Sequence, residues 1–243
     1  MDNSIYIALS RQMTMFRDME VTSNNIANVN TTGYQAEKLL FQDFLVPDGQ
    51  KFNSKMAFAR DPISYRDDSE GRMKTTGNTF DLAISGSGYF KVETPLGERY
   101  TRAGNFTLDA EGTLVTMEGY PVLSPDGGTI TLPDAVNDIT INGAGEITGG
   151  GDELGTIGIV EFENPQELER VGSAMFKSNQ EPDPAVASNV MQGALEMSNV
   201  NGVGELVRVT QLSRSVGNTA KFVEVMYDLQ RKTSTTYGRP AQG

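Results

Sequence analysis

A chain of 243 residues is long enough to bury a substantial core, and this one contains no Cys, no His and no Trp. Disulfides, thiolate nucleophiles and Cys- or His-ligated metals are thereby excluded, together with the imidazole on which most acid–base catalysis near neutral pH relies. The formal charge of −12 lies almost wholly in residues 77–190, where 18 Asp and Glu face 5 Lys and Arg; such acidity argues against nucleic acid or anionic lipid as a partner.

No apolar run approaches the roughly 18–20 residues of a membrane span, so no direct membrane insertion is expected. The start, Met1-Asp2-Asn3-Ser4-Ile5, lacks the basic opening of a cleavable leader. From Ser4 to Val29 the pattern predicts an amphipathic helix. Leu9, Phe16, Met19 and Ile26 line one stripe, with Met13 and Met15 beside it. The helix is expected to end at Asn28-Val29-Asn30-Thr31-Thr32-Gly33, where Asn and Gly tolerate the left-handed conformation. Residues 35–76 show no clean period and carry turn signals at Pro47-Asp48-Gly49 and Asp61-Pro62, which predicts an extended connecting segment with short strands.

Residues 77–185 read as β-rich. Phe80, Leu82 and Ile84 alternate with Asp81, Ala83 and Ser85, and Phe90 and Val92 resume the pattern after Gly86-Ser87-Gly88. A hairpin turn is expected at Asp109-Ala110-Glu111-Gly112, further turns at Glu118-Gly119, Pro125 to Gly128 and Gly149-Gly150-Gly151, and another strand from Ile157 to Phe162. Many short strands at this spacing predict a twisted sheet, sandwich or barrel. Val203 to Tyr237 is again helical. Steps of three and four from Leu206 through Val209, Ser213, Val216, Ala220, Val223 and Tyr227 to Gln230, Ser234 and Tyr237 trace a seam, while Phe222, Met226 and Leu229 form a second apolar strip.

These zones predict an α+β fold in which N- and C-terminal helices pack as a coiled-coil-like pair, with a central all-β domain. The division is 1–34 with 203–243 as a discontinuous terminal helical domain, 35–76 with 186–202 as an extended connecting segment, and 77–185 as the β-rich domain. The alternative is an α+β monomer whose end helices pack on its own sheet. Gly86-Ser87-Gly88 lacks the residues of a nucleotide loop. One Gly149-Gly150-Gly151-Asp152 run without repeats is a turn, and Glu161, Glu163, Glu167 and Glu169 fit a solvated acidic face. No cofactor motif is present. Only carboxylate-pair chemistry, as in glycosidases, survives as an enzymatic reading, and it is not expected here.

The segment Ser23-Asn24-Asn25-Ile26-Ala27-Asn28-Val29-Asn30-Thr31-Thr32-Gly33-Tyr34 closely resembles the N-terminal signature of flagellar basal-body rod and hook proteins. Asn24 and Asn28 lie one helical turn apart beside Asn25, and a buried Asn in a helix seam fixes register. Gly77 to Phe90 resembles the opening of the family's β domain, and Tyr100-Thr101-Arg102-Ala103-Gly104-Asn105-Phe106 through Val115 its next hairpin. Gln192-Gly193-Ala194-Leu195-Glu196 with Ser198-Asn199-Val200-Asn201 matches the segment leading into the C-terminal helix. Arg214-Ser215-Val216-Gly217 lacks the aromatic that the family commonly carries there.

The resemblance implies a non-enzymatic, self-assembling subunit of the flagellar rod. Length and the short path from Asp67 to Thr76 are most like the proximal rod branch; the distal branch, or a secreted β-rich binding module, is the alternative. It also implies partners among rod proteins and copies of the chain itself, export by the flagellar apparatus, and residence in the basal-body rod that crosses the periplasm. The assembly residues it marks are Asn24, Asn25, Asn28, Asn30, Thr31, Thr32, Gly33 and Tyr34, and then Gln192, Gly193, Leu195, Glu196, Ser198, Asn199, Val200 and Asn201.

Overall fold

The computed structural model describes residues 2–40, 43–47, 55–59, 63–133, 138–172, 174–185 and 187–237. The turns expected at Asp48-Gly49 and Asp61-Pro62, and the side chains of Gln230, Ser234 and Tyr237, lie outside the described residues. Along the chain run α1 (Asp2–Ala27), β1 (Glu37–Leu40), β2 (Asp43–Pro47), β3 (Lys55–Ala59), β4 (Ile63–Arg66), β5 (Met73–Thr75), β6 (Leu82–Ser85), β7 (Tyr89–Thr94) and β8 (Gly97–Thr101). Next come β9 (Thr107–Leu108), β10 (Leu114–Val115), β11 (Thr140–Ile141), β12 (Glu146–Gly149), β13 (Asp152–Thr156), β14 (Ile159–Glu161), β15 (Glu169–Val171), β16 (Met175–Lys177), β17 (Asp183–Pro184), β18 (Asn189–Gln192), β19 (Ala194–Glu196) and α2 (Gly202–Tyr237). Two helices flanking a β-rich middle make an α+β chain. It divides into two compact units, residues 1–26, 37–65 and 202–243 in the first and residues 27–36 and 66–201 in the second.

In the second unit the largest sheet has six strands in the order β15-β16-β8-β7-β14-β17. Its centre is β7, paired antiparallel with β8 through Phe90↔Thr101 and with β14 through Ile159↔Phe90. Both faces of β7 are covered. Phe90 and Val92 point into a core with Leu82, Ile84, Phe106, Leu114 and Ile147, while Tyr89 enters a second cluster with Tyr100, Val160, Phe162 and Phe176. Aromatic rings meet edge-to-face in both, Phe90 on Phe106 at 5.1 Å and Tyr100 on Phe162 at 4.8 Å, the arrangement their quadrupoles favour.

Alternation along β6 is less strict than the sequence pattern predicts, because Ala83 is as fully buried as Leu82 and Ile84. A small side chain there lets the strand be covered on both sides. β6 pairs with β18, so residues 189–192, expected to be connecting chain, are a strand of this unit. Gly86-Ser87-Gly88 therefore joins strands of different sheets. The Asp109 turn forms as expected. The Asp109 carboxylate accepts the N–H groups of Glu111 and Thr113, an Asx turn closing the β9–β10 hairpin.

The first unit holds α1 as far as Ile26, the β2–β3 hairpin, β1 paired with β4 (in this unit as far as Tyr65), and α2. The covered stripe of α1 runs through Ala8, Met15, Asp18, Thr22 and Asn25, one residue ahead of the stripe expected at Leu9, Phe16, Met19 and Ile26. Leu9 and Phe16 are half exposed and Met13 more so. An ion pair joins the helices, Arg208 donating to Asp18 at 2.9 Å. A hollow is lined by Ile7, Ala8 and Arg11 from α1 and by Ser215, Thr219 and Phe222 from α2. On α2 the half-buried row is Arg208, Val209, Leu212, Val216, Thr219, Val223 and Met226, while Leu206, Ser213, Ala220 and Tyr227 face solvent. The expected seam thus keeps Val209, Val216 and Val223 and shifts by one residue between them. Hydrophobicity alone picked the wrong neighbours because the uncovered faces of both helices are apolar too. Among the described residues no helix is long and apolar enough to cross a membrane.

The core reading has a direct check. Phe90→Ala removes a fully buried ring at the junction of β7, β8 and β14 and is expected to cost about 3–5 kcal/mol in urea unfolding followed by circular dichroism. Leu96→Ala, at an exposed hairpin tip, is expected to stay within about 0.5 kcal/mol of wild type.

Candidate assembly site

The two segments singled out in the sequence, 24–34 and 192–201, meet through the last residues of the first. Earlier in it, Asn25 is almost fully buried on α1, and its amide accepts from the N–H of Glu37 at 3.0 Å and donates to the carbonyl of Glu37 at 2.8 Å. Those bonds hold the start of β1 against the helix, so the Asn25 amide is engaged inside the chain. Asn24 is exposed, as is Asn30. Asn28 caps the turn after α1: its side-chain oxygen accepts from the Thr31 hydroxyl at 3.1 Å, and its carbonyl accepts from the Thr31 N–H at 3.1 Å. Thr32 is half buried, and Tyr34 closes the turn by donating its N–H to Thr31.

Gly33 and Tyr34 make the link to the second segment. The Gly33 N–H donates to the Glu196 carbonyl at 2.8 Å, and the Asn199 N–H donates to the Tyr34 carbonyl at 3.3 Å. Gly33 has φ +66, and a Cβ there would lie 2.3 Å from the backbone nitrogen of Ala103. Glycine is required for conformation and for space at once. The buried Tyr34 ring carries the Arg170 guanidinium 4.5 Å from its centroid, and Arg170 donates to the Gln35 carbonyl at 2.6 Å.

In the second segment, Gln192 ends β18 and its amide reaches three backbone groups. It accepts from Ile141 at 3.2 Å and donates to Thr79 and Ile139, both at 3.1 Å. Gly193 donates to the Asp81 carbonyl and accepts from Thr76 and Gly77. Leu195 lies opposite Lys74 in the β19–β5 pair. Ser198 is buried, and its hydroxyl accepts from the Val200 N–H at 3.2 Å; Val200 is half buried and Asn201 exposed. Asn199 is the most connected. Its side-chain oxygen accepts from Ala36 at 2.7 Å and its NH₂ donates to the carbonyls of Asp67 at 2.8 Å and Ser69 at 2.9 Å.

Glu196 lies at the centre of this region. Its carboxylate accepts from Arg102 at 3.3 Å and from the Gly71 N–H at 2.9 Å, and both charged side chains are 3% exposed. Arg102 also donates to the Gly86 carbonyl at 2.7 Å and lies 5.0 Å from the centroid of the Tyr89 ring. Burial pushes the Glu196 carboxyl above the usual glutamate range; Arg102 and the Gly71 N–H pull it down without cancelling that rise. Gly71 must be glycine, since a Cβ would meet the Met197 carbonyl oxygen at 1.7 Å. Sequence reasoning gave Arg102 and Gly71 no role. A signal for Arg102 was there, because residues 77–190 hold only 5 cations, and Lys91, Arg99 and Arg102 among them are buried.

Two expectations follow from this geometry. Gly33→Ala combines left-handed strain with backbone overlap and is expected to lose several kcal/mol, whereas Gly77→Ala, with φ +75 and nothing within 4 Å, should lose only about 1–2 kcal/mol. Chemical denaturation of both variants measures this. For Glu196, a raised folded value means that the native state holds the proton more tightly than the unfolded chain does. The stability from this group is complete below the unfolded glutamate value and is lost as pH rises through the folded one. Wild type should therefore lose stability relative to Glu196→Gln as pH rises from about 4 to neutrality, measured by urea unfolding across that range.

Three family models match the chain, described as "Flagella basal body rod protein" over residues 5–35, "Flagellar hook protein FlgE/F/G D1 domain" over 83–149 and "Flagellar basal body rod FlgEFG protein C-terminal" over 191–236. The flagellar basal-body rod protein FlgF of Caulobacter vibrioides is 36% identical, with 98% of this chain and 99% of that protein covered. FlgF of Mesorhizobium japonicum is 33% identical over 90% of this chain and 91% of its own length. FlgG of Bacillus subtilis, also a basal-body rod protein, is 33% identical over 90% and 93%. Segments 24–34 and 192–201 fall within or beside the two rod-protein matches at the chain's ends. The chain belongs to the flagellar basal-body rod protein family and is a structural protein, not an enzyme.

Proposed function

We propose that this protein is a proximal rod subunit of the flagellar basal body that assembles with other rod proteins and with copies of itself into the drive shaft crossing the periplasm. The observation that carries this reading is the distribution of apolar surface on the helices. The covered stripe of α1 includes Asp18, Thr22 and Asn25, whereas Leu9, Met13 and Phe16 are exposed at spacings of four and three residues. On α2, Val203, Leu206, Phe222, Val225 and Leu229 are exposed. Apolar stripes of this length on helices are surfaces for other helices.

In this reading residues 1–34 and 203–243 pack as a coiled-coil-like pair and build the shaft. Residues 66–201, with β18 and β19 among their strands, form the β-rich body. The Asp18–Arg208 ion pair and the three-and-four spacing of the half-buried row on α2 support the pairing. The Asn-rich segment and residues 192–201 act by holding the chain's path between helices and β strands. The subunit passes through the flagellar export apparatus and keeps α1 in the assembled rod. A chain without Cys suits passage through a narrow channel, since no cross-link has to be opened. A distal rod role is the second reading, favoured by the Bacillus subtilis FlgG relative, whose 33% identity equals that of the Mesorhizobium japonicum FlgF.

In cells lacking the native copy, Leu9→Glu and Phe16→Glu are expected to abolish swimming and rod completion, since each sets a charge on the exposed stripe. The purified variants should unfold in urea within about 0.5 kcal/mol of wild type. Swimming at wild-type level with normal protein amounts would reject the stripe as an assembly surface. Gold labelling on isolated basal bodies separates a proximal from a distal position, and mass spectrometry of the same preparations should recover the residues of α1.

A further inference from the structure

The chain passes between its two units four times, at residues 26–27, 36–37, 65–66 and 201–202. Three of those passages are tied together by one side chain. Asn199 lies just before the last of them. Its side-chain oxygen accepts from Ala36 at the second passage, and its NH₂ donates to Asp67 and Ser69 just after the third. Its own N–H donates to Tyr34. These partners fix the amide's orientation, since one is a donor and two are acceptors, and a flipped amide would oppose all three. Asp at the same position would keep the bond from Ala36 but set a carboxylate against two carbonyl oxygens. Leu, of similar size, would satisfy none of them.

We infer that Asn199 is a positioning residue that clamps three of the four chain passages together, and that the subunit needs this clamp to assemble. Its contribution is made inside the subunit, not through contact with a neighbour. The second half of this inference rests on the rod reading above. The β core does not depend on the clamp, because Leu82, Phe90 and Val92 are buried among residues that Asn199 does not touch. Loss of the clamp therefore opens the passages locally while the core stays closed, a sub-global opening.

The test compares full-length Asn199→Ala and Asn199→Asp with Asn142→Ala. Asn142 makes a comparable set of side-chain bonds, to Ala144 and Glu146, within a single hairpin. In hydrogen exchange read by mass spectrometry, both Asn199 variants should exchange at least tenfold faster in peptides covering 34–37, 66–70 and 197–201. Peptides covering 82–92 should stay within twofold of wild type, and Asn142→Ala should match wild type in all of them. Expressed in cells lacking the native copy, the Asn199 variants should fail to complete rods and Asn142→Ala should restore swimming. Wild-type protection around the passages, core exchange rising in parallel, normal swimming by the Asn199 variants, or equal failure of Asn142→Ala would each overturn the inference. If cells lacking the chain swim normally, the rod reading fails instead, while exchange still decides whether the clamp exists.

Discussion

The structure depends on satisfying backbone N–H and C=O groups where the chain leaves its ladders. Many of its sheets have only two strands, and the chain moves repeatedly from one to the next. A buried backbone group without a partner costs free energy comparable to a lost hydrogen bond. Side-chain amides supply those partners. Asn25 offers one donor and one acceptor to the backbone of Glu37, as a neighbouring strand would, and Gln166 does the same for Arg66. Gln192 and Asn199 extend the device to three backbone groups each, spread over two segments. An amide suits this work because it carries donors and an acceptor without charge, and so is desolvated at lower cost than a carboxylate or an ammonium.

Charge follows a complementary rule. Carboxylates of the acidic middle stay largely at the surface, and several cations lie inside, each against acceptors or rings. The Arg66 guanidinium lies 4.4 Å from the centroid of the Phe176 ring, Arg170 approaches both Tyr34 and Phe176, and Arg102 lies over Tyr89 while bonded to Glu196. Arginine suits these positions because its planar, weakly hydrated head combines stacking with directed bonds. The buried Arg102–Glu196 pair is not a large source of net stability, since desolvation offsets most of its attraction. Its effect is to fix where Gly71, Gly86 and β19 lie relative to one another, because any other arrangement leaves a charge in the core unmatched.

Much of this was legible in the sequence where one residue type has one physical consequence. Apolar periodicity located both helices to within about two residues, the usual uncertainty of helix ends. The Asp109 turn formed because a carboxylate followed by Gly folds back on its own backbone. Gly33 was marked by resemblance, but its reason, the backbone of Ala103 against it, lies 70 positions away and leaves no local trace. The same holds for Asn199, whose partners at 36, 67 and 69 are set by chain path alone. The helix stripes were misplaced by one residue for a different reason. Periodicity reports that a face is apolar, not what covers it, and in this chain the apolar face and the covered face are not the same.

That mismatch separates two ways of using hydrophobic area. The β unit closes its own core, with Leu82, Ile84, Phe90, Val92 and Leu114 fully buried. Fully burying such side chains contributes roughly 1.5–3 kcal/mol each, so this unit is held by contacts within one subunit. α2 has 36 residues, yet none of its described side chains is fully buried. Packing within a single chain therefore leaves much of the helix's apolar surface in water, while helix propensity alone gives only marginal stability and Gly217 weakens it further. Polar contacts such as Asp18–Arg208 set which faces of α1 and α2 turn toward each other at small energetic gain, since a partly exposed ion pair contributes little. The larger apolar term is not used within the single chain, where Leu206, Phe222, Val225 and Leu229 stay exposed. On the rod reading proposed above, a subunit built this way keeps its folded body through assembly and gains further helix packing where neighbours cover those faces, which would couple the stability of the helices to the growth of the rod.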